Sequence, residues 1–251
     1  MNIIAPYSHQ IINYLRRTGH QHFDPKAALI DMDGTLYDSM RNHSAAWYRL
    51  VTELGIEATQ DEFYLYEGRT GASTINLIFN RTYGRDATSQ EIEELYHRKT
   101  VYFTELPAVK PMDGAAEMLG VLEDYNITRV LVTGSGQRTL IDRLNNDFPG
   151  AFAEDKMITS RDVTKGKPDP EPYLMAMKRA GAQPWQSIVI ENAPIGVEAG
   201  VRADAFTIGV NTGPIPRQVL EEVGADIVFD SMRELAESMP VLLDSLKKVS
   251  L

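Results

Sequence analysis

No cysteine occurs among the 251 residues, so disulfides, thiolate metal sites and thiol nucleophiles are excluded by inventory, and catalysis must rest on oxygen and nitrogen groups. Positive charge is also in short supply: 25 Lys and Arg face 35 Asp and Glu, a net charge of −10. That balance repels a polyanionic backbone and no dense basic patch offsets it, which argues against nucleic acid as a partner. The longest apolar runs are strand-sized, far short of the roughly 20 residues that a membrane-spanning helix needs. The N-terminus has no basic segment followed by an apolar one, and Lys247 to Leu251 match no lipidation or sorting signal. A cytoplasmic protein without a membrane partner is expected. Repeats and low-complexity tracts are absent too.

What the chain does carry is a regular alternation. With 43% hydrophobic residues it can bury one large core, or a core and a smaller second domain. Ala27 to Met32, Arg129 to Thr133, Ser187 to Glu191 and Phe206 to Val210 are near-continuous apolar stretches, as strands buried on both faces are. Ile227 to Phe229 reads as a short edge strand. Amphipathic segments separate them at Gly114 to Asp124, Gln137 to Asn146, Pro172 to Ala180 and Ala193 to Ala203. The alternation predicts an α/β fold with right-handed crossovers onto a parallel sheet. Ligands of such sheets sit outside the carboxyl ends of the strands, so the residues just after each strand decide the function.

One stretch breaks the pattern. Met40 to Leu106 is helical throughout, with Trp47, Leu50, Leu54, Leu77, Ile78, Leu95 and Tyr102 as its candidate core. Its flanks, Leu36 to Ser39 and Leu106 to Pro111, read as hinges, the second stiffened by proline. The expected division is an N-terminal extension of residues 1–26, a core domain of residues 27–39 and 107–251, and an inserted helical domain of residues 40–106 placed to close as a lid. In the extension, Ile11, Ile12 and Leu15 have the spacing of a segment that packs on the surface.

Four strand ends carry polar chemistry. The first ends in Asp31-Met32-Asp33-Gly34-Thr35, which puts two carboxylates on one side of an extended chain. Such a pair needs a cation or a shared proton, although a capping turn would also use it. After the second, Thr133-Gly134-Ser135-Gly136 opens a helix, so a hydroxyl and backbone N–H groups form an anion site; Ser and Thr are also ordinary N-caps. Lys165-Gly166-Lys167-Pro168-Asp169-Pro170 offers an ammonium on a proline-stiffened loop, or a solvated lysine in a turn. Ile190-Glu191-Asn192-Ala193-Pro194 supplies oxygen ligands for a hard ion such as Mg²⁺, or an Asn192 N-cap with Pro194 in the first helical turn. Together they make a nucleophile, a metal cradle, an anion nest and a cation.

This ordered set, Asp31-x-Asp33-Gly34-Thr35, Thr133, Lys167-Pro168 and Glu191-Asn192, resembles the four motifs of the haloacid dehalogenase superfamily, from about Ala27 to the C-terminus. The insertion resembles the cap of its β-phosphoglucomutase-like branch. The resemblance implies a Rossmann-like core with an inserted helical cap domain, and phosphoryl transfer in which Asp31 forms an aspartyl phosphate while Asp33 serves as general acid and then base. Thr133 and Lys167 would bind the transferring phosphoryl oxygens, with Gly134 and Ser135 beside them. Mg²⁺ would be held by Asp31, Asp33 through its carbonyl, Glu191 and Asn192. Many relatives have an aspartate where Asn192 stands, so weaker Mg²⁺ binding is expected here.

The acceptor of the phosphoryl group is set by the cap. His43, Trp47 and Lys99 fall where β-phosphoglucomutase-like caps carry substrate-binding residues, although a histidine or tryptophan on an apolar helix face also suits a core. In Glu67-Gly68-Arg69-Thr70-Gly71 the arginine that grips a distal phosphate is displaced; Arg69 can substitute, or can cap a helix or pair with Glu67. The expected activity is hydrolysis of a small phosphorylated metabolite, a hexose phosphate, by a monomer. A β-phosphoglucomutase, an inorganic pyrophosphatase and a non-catalytic phospho-ligand binding module are the alternatives. Dehalogenase chemistry is disfavoured, since it needs neither Asp33 nor Mg²⁺.

Overall fold

A computed structural model describes residues 5–135 and 138–251 of the chain. Six parallel strands run in the order β5-β4-β1-β6-β7-β8: β1 (Ala27–Ile30), β4 (Thr128–Val132), β5 (Met157–Ile158), β6 (Ser187–Glu191), β7 (Phe206–Val210) and β8 (Ile227–Phe229). The central strands are apolar on both faces because helices cover both. Ala28 and Ile30 of β1 face one side, with helices α1 (Ser8–Thr18), α6 (Ala115–Asp124) and α11 (Met232–Lys248); Ala27 and Leu29 face α8 (Glu171–Ala180) and α9 (Pro194–Arg202).

The ladder of β1 stops at Ile30, two residues short of the expected Met32, because the chain turns: Gly34 takes φ 83°, and the N–H groups of Leu36 and Tyr37 both reach the Met32 carbonyl. Three strands escaped the sequence reading. β5 is only two residues long. The flanks read as hinges contain β2 (Tyr37–Asp38) and β3 (Lys110–Pro111), which pair antiparallel, so the connections to the insertion form one ribbon.

That insertion holds α2 (Met40–Glu53), α3 (Glu62–Leu65), α4 (Gly71–Tyr83) and α5 (Ser89–Thr104) around their own apolar cluster. Trp47, Leu50, Ile78 and Leu95 lie in it, with Leu54 and Tyr102 against its edge. Leu77 is outside, because the buried stripe of α4 runs through Thr74, Ile75, Ile78 and Phe79. Helix α1 departs further from expectation. Ile11, Tyr14 and Leu15 are fully buried in the main core rather than laid on a surface, and the Tyr14 hydroxyl donates to the Asp204 carbonyl at 2.9 Å. No helix among the described residues is long and apolar enough to cross a membrane.

Candidate active site

Register gathers the strand ends. Ile30 of β1 lies abreast of Leu131 and Ile190, so Asp31, Val132 and Glu191 follow at one level, and Asp31 N–H reaches the Ile190 carbonyl at 3.0 Å. Lys167, 2% exposed, lies between the carboxylates. Its ammonium spends three donors on Asp31 Oδ1 at 2.6 Å, Glu191 Oε1 at 2.6 Å and the Val132 carbonyl at 3.1 Å. The solvated-lysine reading is thereby excluded. Burial alone would discharge this lysine, but Asp31 and Glu191 hold its pKa above the usual range. Burial and Glu191 push the Asp31 carboxyl up, and Lys167 pulls it back.

Glu191 was expected on the metal, yet its oxygens serve the protein. Oε1 takes Lys167 and the Tyr173 hydroxyl at 2.7 Å, and Oε2 takes the N–H groups of Asn192 and Ala193 at 3.1 and 3.3 Å. Asn192 is not the cap of α9; that position is Ala193. Its amide instead accepts from Thr35 Oγ1 at 3.2 Å and donates to Glu67 Oε1 at 2.7 Å. Glu67 comes from the cap loop, 8% exposed, and burial among Asp31, Glu191 and Asp33 raises its pKa well above normal. The sequence reading missed it, having considered Glu67 only as a partner for Arg69. The available signal was the neutral Asn192 itself, since a missing carboxylate at a strand end can be supplied from another element.

Asp33 has different neighbours. Its Oδ1 accepts from Ser39 Oγ at 2.6 Å and His43 Nε2 at 3.0 Å, and His43 Nδ1 faces Lys99 Nζ at 2.5 Å. The ionised Asp33 carboxylate can only accept, so His43 Nε2 carries the hydrogen and Nδ1 is left to accept from Lys99. Burial and Lys99 lower the His43 pKa, and burial pulls Lys99 down to about 7. Burial would raise the Asp33 pKa, but His43, Ser39 and Lys99 outweigh it and hold it below normal. Of the two residues expected to bind substrate, His43 thus spends Nε2 on Asp33 and Lys99 spends its ammonium on His43, while both line the cavity between core and cap. Ser39, read in the sequence only as the end of a hinge, completes the set.

Thr133 and Ser135 also close on each other, since the Ser135 N–H donates to Thr133 Oγ1 at 2.9 Å. That amide was expected to face an anion. Gly136, part of the same expectation, lies outside the described residues, as does Gln137, the expected start of the helix described as α7 (Arg138–Asp147). Between core and cap is a cavity of about 50 Å³, lined by Asp31, Asp33, Thr133, Gly134 and Ser135 from below and His43, Trp47, Glu67, Arg69 and Lys99 from above. Trp47 serves twice, in the cap cluster and on the cavity wall. Arg69 donates to Ser73 Oγ at 3.2 Å, while its buried Nε has no partner among the described residues.

Residues 28–210 match the family model of haloacid dehalogenase-like hydrolases. The chain belongs to this family. It is 30% identical over 212 residues to validoxylamine A 7'-phosphate phosphatase from Streptomyces hygroscopicus subsp. limoneus, covering 84% of this chain and 95% of that one. Hexitol phosphatase A from Escherichia coli K12 is 28% identical, over 84% of this chain and 93% of its own. A solved structure named as a "putative beta-phosphoglucomutase" from Bacteroides vulgatus is 46% identical with a TM-score of 0.92, covering 96% of this chain and 98% of that one. The haloacid dehalogenase-like chain described here is therefore an enzyme of the phosphatase and phosphomutase kind.

Proposed function

We propose that this enzyme transfers the phosphoryl group of a small sugar phosphate to water in the cytoplasm, through an aspartyl phosphate on Asp31 and with Mg²⁺ as cofactor. The observation that carries the reading is the split between two neighbouring carboxylates. Asp31 faces Lys167, whereas Asp33 faces Ser39 and His43; pairs held in such different surroundings divide into separate chemical roles.

An Asp31 oxygen attacks phosphorus as the bond to the leaving oxygen breaks, and Asp33 gives that oxygen its proton. Asp33 then removes a proton from water, which attacks the same phosphorus, releases inorganic phosphate and restores Asp31. Asp33 is held ionised at rest, so it must first receive a proton; His43 with Lys99 behind it can supply one. Thr133 orients phosphoryl oxygens, and Lys167 keeps the nucleophile from repelling them.

The donors near the Gly34 turn fit a hard cation. A Cβ on Gly34 would meet Asn192 Nδ2 at 2.0 Å and Glu67 Oε1 at 2.5 Å, so side chains from core and cap converge there. Asp31, the Asp33 carbonyl, Asn192 Oδ1 and Glu67 are oxygen donors of the kind Mg²⁺ takes, with Glu191 acting through Lys167. Mg²⁺ held there would neutralise charge on the transferring phosphoryl group.

Water is favoured as acceptor by the two phosphatase relatives, whose names specify phosphorylated carbohydrate-like substrates. One observation favours a second reading, inorganic pyrophosphate. The cavity between cap and core, at about 50 Å³, has room for a few waters or one phosphate-sized group, against roughly 300 Å³ or more for ordinary ligand pockets. Arg69, whose Nε on that wall has no partner among the described residues, suits a distal phosphate. The test is ³¹P NMR of the enzyme with Mg²⁺ and a panel of sugar phosphates, pyrophosphate, and β-glucose 1-phosphate with a trace of its 1,6-bisphosphate. Fastest phosphate release from a sugar phosphate supports the first reading, and from pyrophosphate the second. Conversion to glucose 6-phosphate without phosphate release would overturn both in favour of a mutase.

A further inference from the structure

At two places where the cap loop meets the core, the core residue is a glycine and there is no room for a side chain. The loop Glu67 to Thr70 lies on two glycines of the phosphoryl site. A Cβ built on Gly134 would meet the Gly68 carbonyl oxygen at 2.5 Å and that of Arg69 at 3.0 Å. One built on Gly166 would meet Thr70 Cγ2 at 2.9 Å, with its next neighbours, Thr70 N and Cβ, at 3.7 and 3.9 Å. Neither glycine is required by a left-handed backbone; positive φ in this region belongs to Gly34 and Gly68. What the two positions share is a surface onto which another chain segment is pressed.

We propose that Gly166, with Gly134, forms the seat of the cap loop, and that the missing side chain at Gly166 is a positioning determinant of the closed enzyme. It acts by allowing Thr70, and with it Glu67, to reach its place against Asn192. The Thr70 methyl has no easy retreat. Its Oγ1 accepts the Ser73 N–H at 3.2 Å as the N-cap of α4, so a rotation that swings Cγ2 away costs that cap. An alanine at 166 therefore pushes against the start of a helix, while the closest groups it meets all belong to the cap.

This inference rests on the proposed phosphoryl transfer for its kinetic readout but not for its structural one. Gly166→Ala is expected to lower kcat/KM on the best substrate about tenfold, with unchanged far-UV circular dichroism. Thr70→Ser removes only Cγ2 and keeps the capping hydroxyl, so the double variant Gly166→Ala/Thr70→Ser should return to within about twofold of the parent. Hydrogen exchange of the 67–70 amides should rise in Gly166→Ala and fall back in the double variant. Normal kinetics and exchange in Gly166→Ala would overturn the proposal. So would a loss that Thr70→Ser does not rescue, which would trace the effect to the adjoining Lys167 loop. If no phosphorylated substrate is turned over, the activity reading fails while the exchange experiment still decides the seat.

Discussion

Lys167 concentrates the energetics of the site in one side chain. Buried carboxylates are tolerated only when paired, and removing one partner of such a pair costs about 3 kcal/mol or more. Lys167→Met strands both Asp31 and Glu191, which it contacts at 2.6 Å. The loss should be largest near pH 8 and smaller near pH 5. Burial already lifts the Asp31 carboxyl in the parent, and without the ammonium it rises further, so the folded variant takes up this proton at higher pH than the parent does and recovers stability as pH falls. Urea midpoints at the two pH values measure it; an equal loss at both would mean that Lys167 contributes by packing alone. Lys99 gives the opposite slope. Its pKa falls from 10.5 unfolded to about 7 on burial, so between those values the unfolded chain keeps a proton that the folded chain has lost. Stability should then rise from pH 7 to 9 by on the order of 1 kcal/mol per pH unit. Lys99→Met should remove that slope, and a variant with the parental slope would assign it to another group.

At the scale of the element, the sequence was most legible where periodicity and length agree. β6 and β7 lie where the apolar runs placed them, Ser187 to Glu191 and Phe206 to Val210, because strands buried on both faces have little compositional freedom. β5 and the β2–β3 ribbon were not legible, since two-residue strands leave no period to read. The four strand-end motifs are brought together in the structure, whereas the parts played by Glu67 and Ser39 had no local pattern to mark them, and only the neutral Asn192 pointed indirectly to Glu67. Helix α1 shows the same limit. Its burial depends on Tyr14 meeting Asp204 and on Arg17 donating twice to Asp226 at 3.1 Å. Asp226 is mostly buried, and burial lifts its pKa to about 6 despite Arg17. Arg17→Ala should therefore destabilise the protein by about 1 to 3 kcal/mol at pH 8, and by less at pH 5, where Asp226 is already largely protonated in the folded state. Thermal unfolding at both pH values tests the direction; a larger loss at pH 5 would contradict the pairing.

At the scale of the whole molecule, cap and core are expected to part. With Glu67 on Asn192 the cap loop lies over the cavity of about 50 Å³, so substrate entry and product release are expected to need the insertion to move away from the strand ends. The β2–β3 ribbon is where the two chain connections of that insertion meet, and a pair of short strands lets both connections bend together. The absence of cysteine makes the motion testable without interference. A Cβ at position 166 would lie 3.9 Å from Thr70 Cβ, within the roughly 3.5 to 4.5 Å range that a disulfide spans. Gly166→Cys/Thr70→Cys should form this bridge on oxidation and hold the loop on its seat. Turnover of the best substrate should fall below about one-twentieth of the reduced form and return when dithiothreitol is added. Each single cysteine variant should show no redox response, which separates locking from thiol oxidation. An oxidised double variant that turns over like its reduced form, with the bridge verified by mass spectrometry, would mean that substrate reaches Asp31 without the cap loop leaving Gly166.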